Sequence, residues 1–183
     1  SSPPIASARA GNVIGGGDWA EDRIIPDFFR AHNKGEKLII RNPDFTRPWQ
    51  HVLEPLSGYL QLAASLYSEG RKYSGGWNFG PGDSSHYSVL QLIQEIISVF
   101  GKGSYHIPEI DKKVYEAHLL KLDISKAAKS LQWKPAMDFK ETVAFTVNGY
   151  EAELNNLNIY SERVKQIAQY IVIAKQRQIK WTY

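Results

Sequence analysis

The chain of 183 residues is 43% hydrophobic and 22% charged, an ordinary globular composition for one domain or part of a larger one. Its formal charge is only +3 and its basic residues are scattered, so it carries no basic stripe for nucleic acid, even at a sequence pI of about 9.0. No apolar run approaches the roughly 18 residues of a membrane span, and the absence of cysteine removes disulfides and thiolate metal sites and points to a cytoplasmic protein.

Ile5 to Gly11 reads as a buried strand that breaks into Gly15-Gly16-Gly17-Asp18-Trp19. Glycine tolerates positive φ and lets the backbone approach a neighbour closely, and a loop leaving a strand is a usual ligand position in an α/β domain. Asp22 to Pro26 leads into a helix through Asn33, with the proline tolerated only in the first turn. Lys37 to Arg41 and Arg47 to Val52 read as short strands around an Asn42-Pro43-Asp44 turn. Leu56, Tyr59, Leu60, Ala63, Leu66 and Tyr67 recur at helical spacing over 54–68.

Trp77 to Gly82 is a brief strand ending in a Gly-Pro turn. Ser88 caps a helix whose core face is Val89, Leu92, Ile93, Ile96 and Phe100. Tyr105 to Pro108 and Ala117 to Leu122 read as strands on either side of a charged loop, and Asp123 caps a helix over 124–131. Asp138 and Glu141 form a capping-box pattern for a helix lined by Phe139, Val143, Val147, Tyr150 and Leu154. A last helix turns Val164, Ile167, Ala168, Ile171 and Ala174 inward. Short strands scattered among helices predict an α/β fold, a small mixed lobe rather than a full doubly wound sheet.

Five motifs occur in a fixed order: R-A-G-N-V-I-G-G-G-D-W (9–19), D-R-I-I-P (22–26), R-P-W-Q-H-V (47–52), W-N-F-G-P (77–81) and L-Q-W-K-P (131–135). Together they resemble the C-terminal, substrate-binding half of an extended short-chain dehydrogenase/reductase acting on a nucleotide sugar. G-G-G-D-W, R-P-W-Q-H-V-L-E-P-L and E-A-H-L-L-K-L-D resemble the CDP-glucose 4,6-dehydratase family most. The resemblance covers 5–154, so 1–154 reads as a nucleotide-sugar-binding lobe and 155–183 as a C-terminal helical extension. The family implies an NAD-dependent lyase that oxidises C4 of CDP-glucose, eliminates water across C5–C6 and returns hydride to C6, on the way to polysaccharide deoxysugars.

The family's Gly-x-x-Gly-x-x-Gly loop and Tyr-x-x-x-Lys pair have no match here: no tyrosine has a lysine four residues on. The chain opens Ser1-Ser2-Pro3-Pro4 without an initiator methionine, so the expectation is a truncated substrate lobe lacking the Rossmann cofactor half. Without the tyrosine base and the hydride acceptor it should be inactive alone, with no catalytic residue of its own and no NAD bound.

A nucleoside diphosphate sugar calls for guanidinium forks, backbone N–H groups, amides and an aromatic or apolar slot. By family position, Asn12 meets the diphosphate-sugar region, Arg23 the diphosphate or base side, and Asn78 the sugar nucleotide across the lobe. Turn formation and a solvated charge are the structural alternatives. Arg47, before Pro48-Trp49, suits a bidentate diphosphate contact, against an ion pair with Glu54 or Asp44. Arg41 falls where relatives carry an aromatic near the base. Glu116 replaces a histidine of relatives that read other bases, with His118 as the alternative contact. Trp19, Trp49, Trp77 and Trp133 read as core and loop anchors, the histidines share no metal-ligand spacing, and the glycine triplet reads as a wall rather than a phosphate cradle. The expected partner is a CDP-sugar. A second reading is a stand-alone, non-catalytic domain that binds a nucleotide sugar or a protein, with helices built to pack on a missing N-terminal half favouring self-association into a homo-oligomer.

Overall fold

The computed structural model describes residues 3–82, 87–109 and 122–183. Its strands are short and pair two by two. β1 (Ala6–Ala10) runs parallel to β6 (Gly75–Phe79), and β2 (Asn12–Ile14) parallel to β5 (Trp49–His51). β3 (Leu38–Ile39) runs parallel to β8 (Tyr105–His106), while β4 (Thr46–Arg47) pairs antiparallel with β7 (Tyr87–Ser88). The expected mixed lobe of helices and short strands is what the chain forms.

The predicted strand over 5–11 is β1, with an unpredicted β2 directly after it, and the predicted strand over 47–52 proves to be two elements, both for local reasons. Gly11 separates β1 from β2, and a Cβ there would meet the Pro48 carbonyl oxygen at 2.9 Å. Only glycine lets the chain pass this close while changing partner from β6 to β5. Pro48 divides the predicted 47–52 strand in the same way. It has no N–H to give a ladder, so Arg47 pairs toward β7 and Trp49 toward β2. The predicted strand over 117–122 lies outside the described residues, apart from Leu122.

Helix α1 (Ile24–Asn33) carries Pro26 in its first turn and buries Ile25, Phe28 and Phe29. Helix α2 (Leu53–Glu69) follows β5 directly. Helix α3 (Val89–Phe100) opens on the expected Ser88 cap, to which Gln91 adds a reciprocal bond, and buries Leu92, Ile93, Ile96 and Phe100. The Asp138–Glu141 capping box opens α4 (Phe139–Leu154) as predicted. Residues 127–131 form a wide helical turn closed by Gln132 at φ 53°.

Helix α4 buries residues on nearly every side, Thr142, Phe145, Thr146 and Gly149 as well as the predicted stripe. It is sandwiched between α3 and α5 (Ile159–Gln176), so only a narrow flank, with Lys140 and Asn148 exposed, is left for water. The main core joins Phe28 and Phe29 of α1, Leu92, Ile93 and Ile96 of α3, and Val143, Val147 and Tyr150 of α4. A second core sets Trp77, Phe79 and Trp133 under α2, and a third holds Met137, Phe145, Tyr170 and Ala174 beneath α5.

The inward face of α5 differs from the prediction. Gln166, Tyr170 and Ala174 are buried, whereas Val164 is 48% exposed and Ile167 46%. Polar anchors override the apolar stripe. Gln166 Nε2 donates to the Phe145 carbonyl at 2.7 Å, and Tyr170 Oη donates to Glu54 Oε2 at 2.9 Å. On α2, Leu56, Leu60 and Tyr67 likewise face outward while Tyr59, Leu62 and Leu66 pack inward.

Candidate functional site

The end of β2 and the residues after it form one wall of a cleft of about 600 Å³. Asn12, Arg23, Ile24, Trp49 and Tyr150 line it. A neighbouring cleft of about 610 Å³ is lined by Arg41, Arg47, Phe45 and the outer side of α1, and Asn12, Asp22, Ile24 and Trp49 border both. The change of strand partner at Gly11 puts Asn12 at this junction, and the break at Pro48 brings Trp49 opposite it, in register across β2 and β5.

Arg23 precedes α1, is 62% exposed, and pairs through Nη1 with Asp18 Oδ2 at 2.9 Å. An exposed pair of this kind adds little stability, which leaves the guanidinium able to trade partners. Arg47 donates from Nη1 to the Thr46 carbonyl at 3.0 Å, and its guanidinium lies 5.3 Å from the centre of the Phe45 ring. The side chain is thereby held along the second cleft. Arg41 is exposed on that cleft's rim. Glu54, one alternative partner for Arg47, is buried and accepts from the backbone N–H groups of Ala136 and Met137 and from Tyr170.

Asn78 stands apart. It borders neither cleft; its Nδ2 donates to the Asp123 carbonyl at 3.0 Å, and its Oδ1 accepts from Arg9 Nη1 at 3.3 Å. Glu116 and His118 lie outside the described residues. The structure thus gathers Asn12, Arg23, Arg41 and Arg47 around two joined clefts and holds Asn78 elsewhere.

Tyr150 escaped the sequence reading as a site residue because it sits on a helical core stripe more than a hundred positions downstream. Its ring stacks on Phe29 at 4.1 Å, and its hydroxyl donates to the Asp18 carbonyl at 2.5 Å. Burial, then the charges of Asp18 and Glu153, push the phenol well above the usual tyrosine range, so it acts as a fixed donor rather than a base. Trp49 anchors its indole N–H on the Tyr87 carbonyl at 3.1 Å and presents the ring to both clefts. Its R-P-W setting marks an anchor and carries no sign of the clefts.

The glycine triplet is a packing device. Gly17 has φ +88°, and a Cβ on Gly16 would meet the Gly149 Cα at 2.5 Å. Gly16 presses its backbone onto α4, while Gly15 borders the first cleft, so the loop stands as a seated wall. Behind it, buried His51 is pushed down to about 4 by loss of solvent and then by the Arg163 charge. Its Nε2 faces the loop at Gly15, where a Cβ would approach to 3.5 Å. Neutral imidazole is therefore the state at pH 7. Among the described residues no group of His, Asp or Glu is placed to hold a metal ion, and no helix is long and apolar enough to cross a membrane.

No family model matches the sequence. A CDP-glucose 4,6-dehydratase of Salmonella typhimurium is 44% identical over 167 residues, which are 91% of this chain and 46% of that protein. The fold superposes on UDP-glucose-4-epimerase from Stenotrophomonas maltophila, solved with bound NAD and formylated UDP-arabinopyranose, with a TM-score of 0.69 and 20% identity over 84% of this chain and 49% of that one. It also superposes on dTDP-glucose 4,6-dehydratase from Bacillus anthracis in complex with NAD, with a TM-score of 0.62 and 18% identity over 84% of this chain and 46% of that one. The chain spans about half the length of the curated relatives it matches. By sequence the chain is similar to about half of a CDP-glucose 4,6-dehydratase, and its fold is that of the matching part of nucleotide-sugar epimerases and dehydratases.

Proposed function

We propose that this chain is the substrate-binding part of a CDP-glucose 4,6-dehydratase, and that its two joined clefts take a CDP-sugar. The observation that carries the reading is the position of Asn12 and Trp49 at the junction, with Arg23 along one cleft and Arg41 and Arg47 along the other. A nucleotide sugar is long and doubly charged at its middle. A pair of clefts of this size, each with guanidinium groups and an apolar wall, suits its length and its chemistry. Arg47 and Arg23 hold the diphosphate from opposite sides, Asn12 its sugar end, and Arg41, with Glu116 or His118, the base. Asn78 contributes through the 123–124 turn that it fixes rather than by direct contact. The similarity to a CDP-glucose enzyme supports cytosine as the base.

Hydride transfer and the tyrosine base belong to a dinucleotide-binding half that the residues of this chain do not provide. Two features suit docking of that half, or of a second copy. The edge of β1 away from β6 has no strand beside it among the described residues. Next to it, α2 exposes Leu60 at 73% and Tyr67 at 96%. Titration of the purified chain with CDP, dTDP, UDP and GDP by calorimetry tests the reading. CDP-selective binding that Arg47→Ala removes supports it; equal binding of all four, or of none, overturns it.

A further inference from the structure

The loop that walls the first cleft is held from two sides. Helix α1 grips it by Arg30, which donates to the carbonyls of Trp19 at 2.7 Å and Ala20 at 2.9 Å. The other grip comes from α5, far along the chain. Arg163 Nη2 donates to Glu153 Oε1 at 3.1 Å and to the Gly149 carbonyl at 3.4 Å, while Nη1 donates to Gln166 Oε1 at 3.0 Å. The second oxygen of Glu153 accepts the indole N–H of Trp19 at 2.6 Å. Trp19 meets the ring of Tyr150 edge-on at 5.1 Å, and Asp18 beside it holds Arg23.

Arg163 is only 28% exposed on its side chain and Glu153 21%, so this pair is screened less than a surface one. It also balances the Glu153 carboxylate close to a cleft that must accept phosphate. Lysine has one charged nitrogen and cannot span Glu153, Gly149 and Gln166 together, so the geometry needs the guanidinium fork.

We propose that Arg163 is a positioning residue of the nucleotide-sugar cleft, acting through Glu153 and Trp19 to fix the loop that carries Asp18 and presents Arg23. The inference rests on the nucleotide-sugar reading of the clefts. It makes α5 part of the binding apparatus although no residue of α5 lines either cleft.

The test uses the full chain with 5-fluorotryptophan incorporated, the Trp19 resonance being assigned from Trp19→Phe. Arg163→Ala should shift or broaden the Trp19 resonance and leave those of Trp77 and Trp133, which sit in another core, in place. CDP affinity should fall about tenfold. Arg163→Lys should recover only part of both effects. Trp19→Phe, at a half-exposed position that does not threaten folding, should reproduce the affinity loss with Arg163 intact. A wild-type chain that binds CDP while Arg163→Ala and Trp19→Phe bind it as tightly overturns the positioning role alone. A moved Trp19 resonance with unchanged affinity does the same. A wild-type chain that binds no nucleotide overturns the reading of the clefts, and the positioning role with it.

Discussion

Gly16 and Gly149 touch backbone to backbone. A Cβ built on Gly16 meets the Gly149 Cα at 2.5 Å, and one built on Gly149 meets the Gly16 Cα at 2.7 Å. The cleft wall is therefore seated on α4 by two glycines far apart in sequence. Gly149→Ala gains roughly 1 kcal/mol of helix propensity but forces a contact that backbone cannot relieve, so a net loss of about 1–3 kcal/mol is expected. Gly16→Ala should lose a similar amount. Gly35→Ala meets nothing within 4 Å among the described residues but is strained at φ +72°, whereas Gly82→Ala, whose Cβ meets nothing within 4 Å among the described residues, should be neutral. Urea midpoints at constant slope measure all four.

Arg47 should be the most costly single loss in ligand binding. Arg47→Ala is expected to weaken CDP by about a hundredfold and Arg47→Lys by about tenfold, because lysine keeps the charge but not the fork. Arg23→Ala should cost less, about fivefold to tenfold, since its exposed guanidinium must first leave Asp18. Calorimetric titration at one fixed ionic strength gives the ranking, and an Arg23→Ala loss exceeding that of Arg47→Ala reverses it.

His51 should make the fold acid-sensitive. Its folded pKa of about 4 lies below the ordinary 6.5, so the unfolded chain takes up the proton first as pH falls. Its stabilising contribution is complete above about pH 6.5 and is lost toward about pH 4. Between pH 7 and pH 5 the loss is about 2 kcal/mol. His51→Asn keeps an acceptor for the Leu53 N–H and cannot titrate, so this part of the pH slope should vanish from its denaturation midpoints.

Glu54 acts with the opposite sign. Burial raises its pKa, and the N–H groups of Ala136 and Met137 with the Tyr170 hydroxyl offset that only in part. Its contribution is present below the ordinary carboxylate value and is lost as pH rises through the raised folded value. Glu54→Gln cannot ionise and should flatten this fall. Glu54→Ala strands three buried donors and should destabilise by about 3 kcal/mol or more at pH 7. Denaturant midpoints from pH 4 to pH 8 separate the two variants.

The face of α5 is open to a direct check. Val164→Lys and Ile167→Lys should change stability by about 0.5 kcal/mol or less, since both positions meet water. Tyr170→Ala should cost about 3 kcal/mol or more through the lost ring, its stack on Trp181 and the bond to Glu54. The reverse ranking in thermal unfolding would restore the apolar stripe as the inward face.

The sequence by itself determined the elements whose causes are local. Ser88 and the Asp138–Glu141 pair start their helices because a capping side chain meets backbone N–H groups three residues on, and Pro26 marks a first turn. Short apolar runs among helical periodicities carried the mixed lobe, and the order of five motifs carried the resemblance to nucleotide-sugar enzymes. Tertiary structure decided the rest. The same Pro48 that begins a motif splits its strand, and only the placement of β2 and β7 shows where each piece pairs. The apolar stripe of α5 lost to Gln166 and Tyr170 because a buried acceptor and carboxylate await them on α4 and α2, partners no periodicity reveals. Asn12, Arg23, Arg41 and Arg47 come together because Gly11 and Pro48 let two chain segments cross closely, whereas Asn78 is drawn to Asp123 and Arg9. Contacts between residues far apart in the chain are set by which surfaces can pack without stranding a polar group, and that is a property of the whole fold.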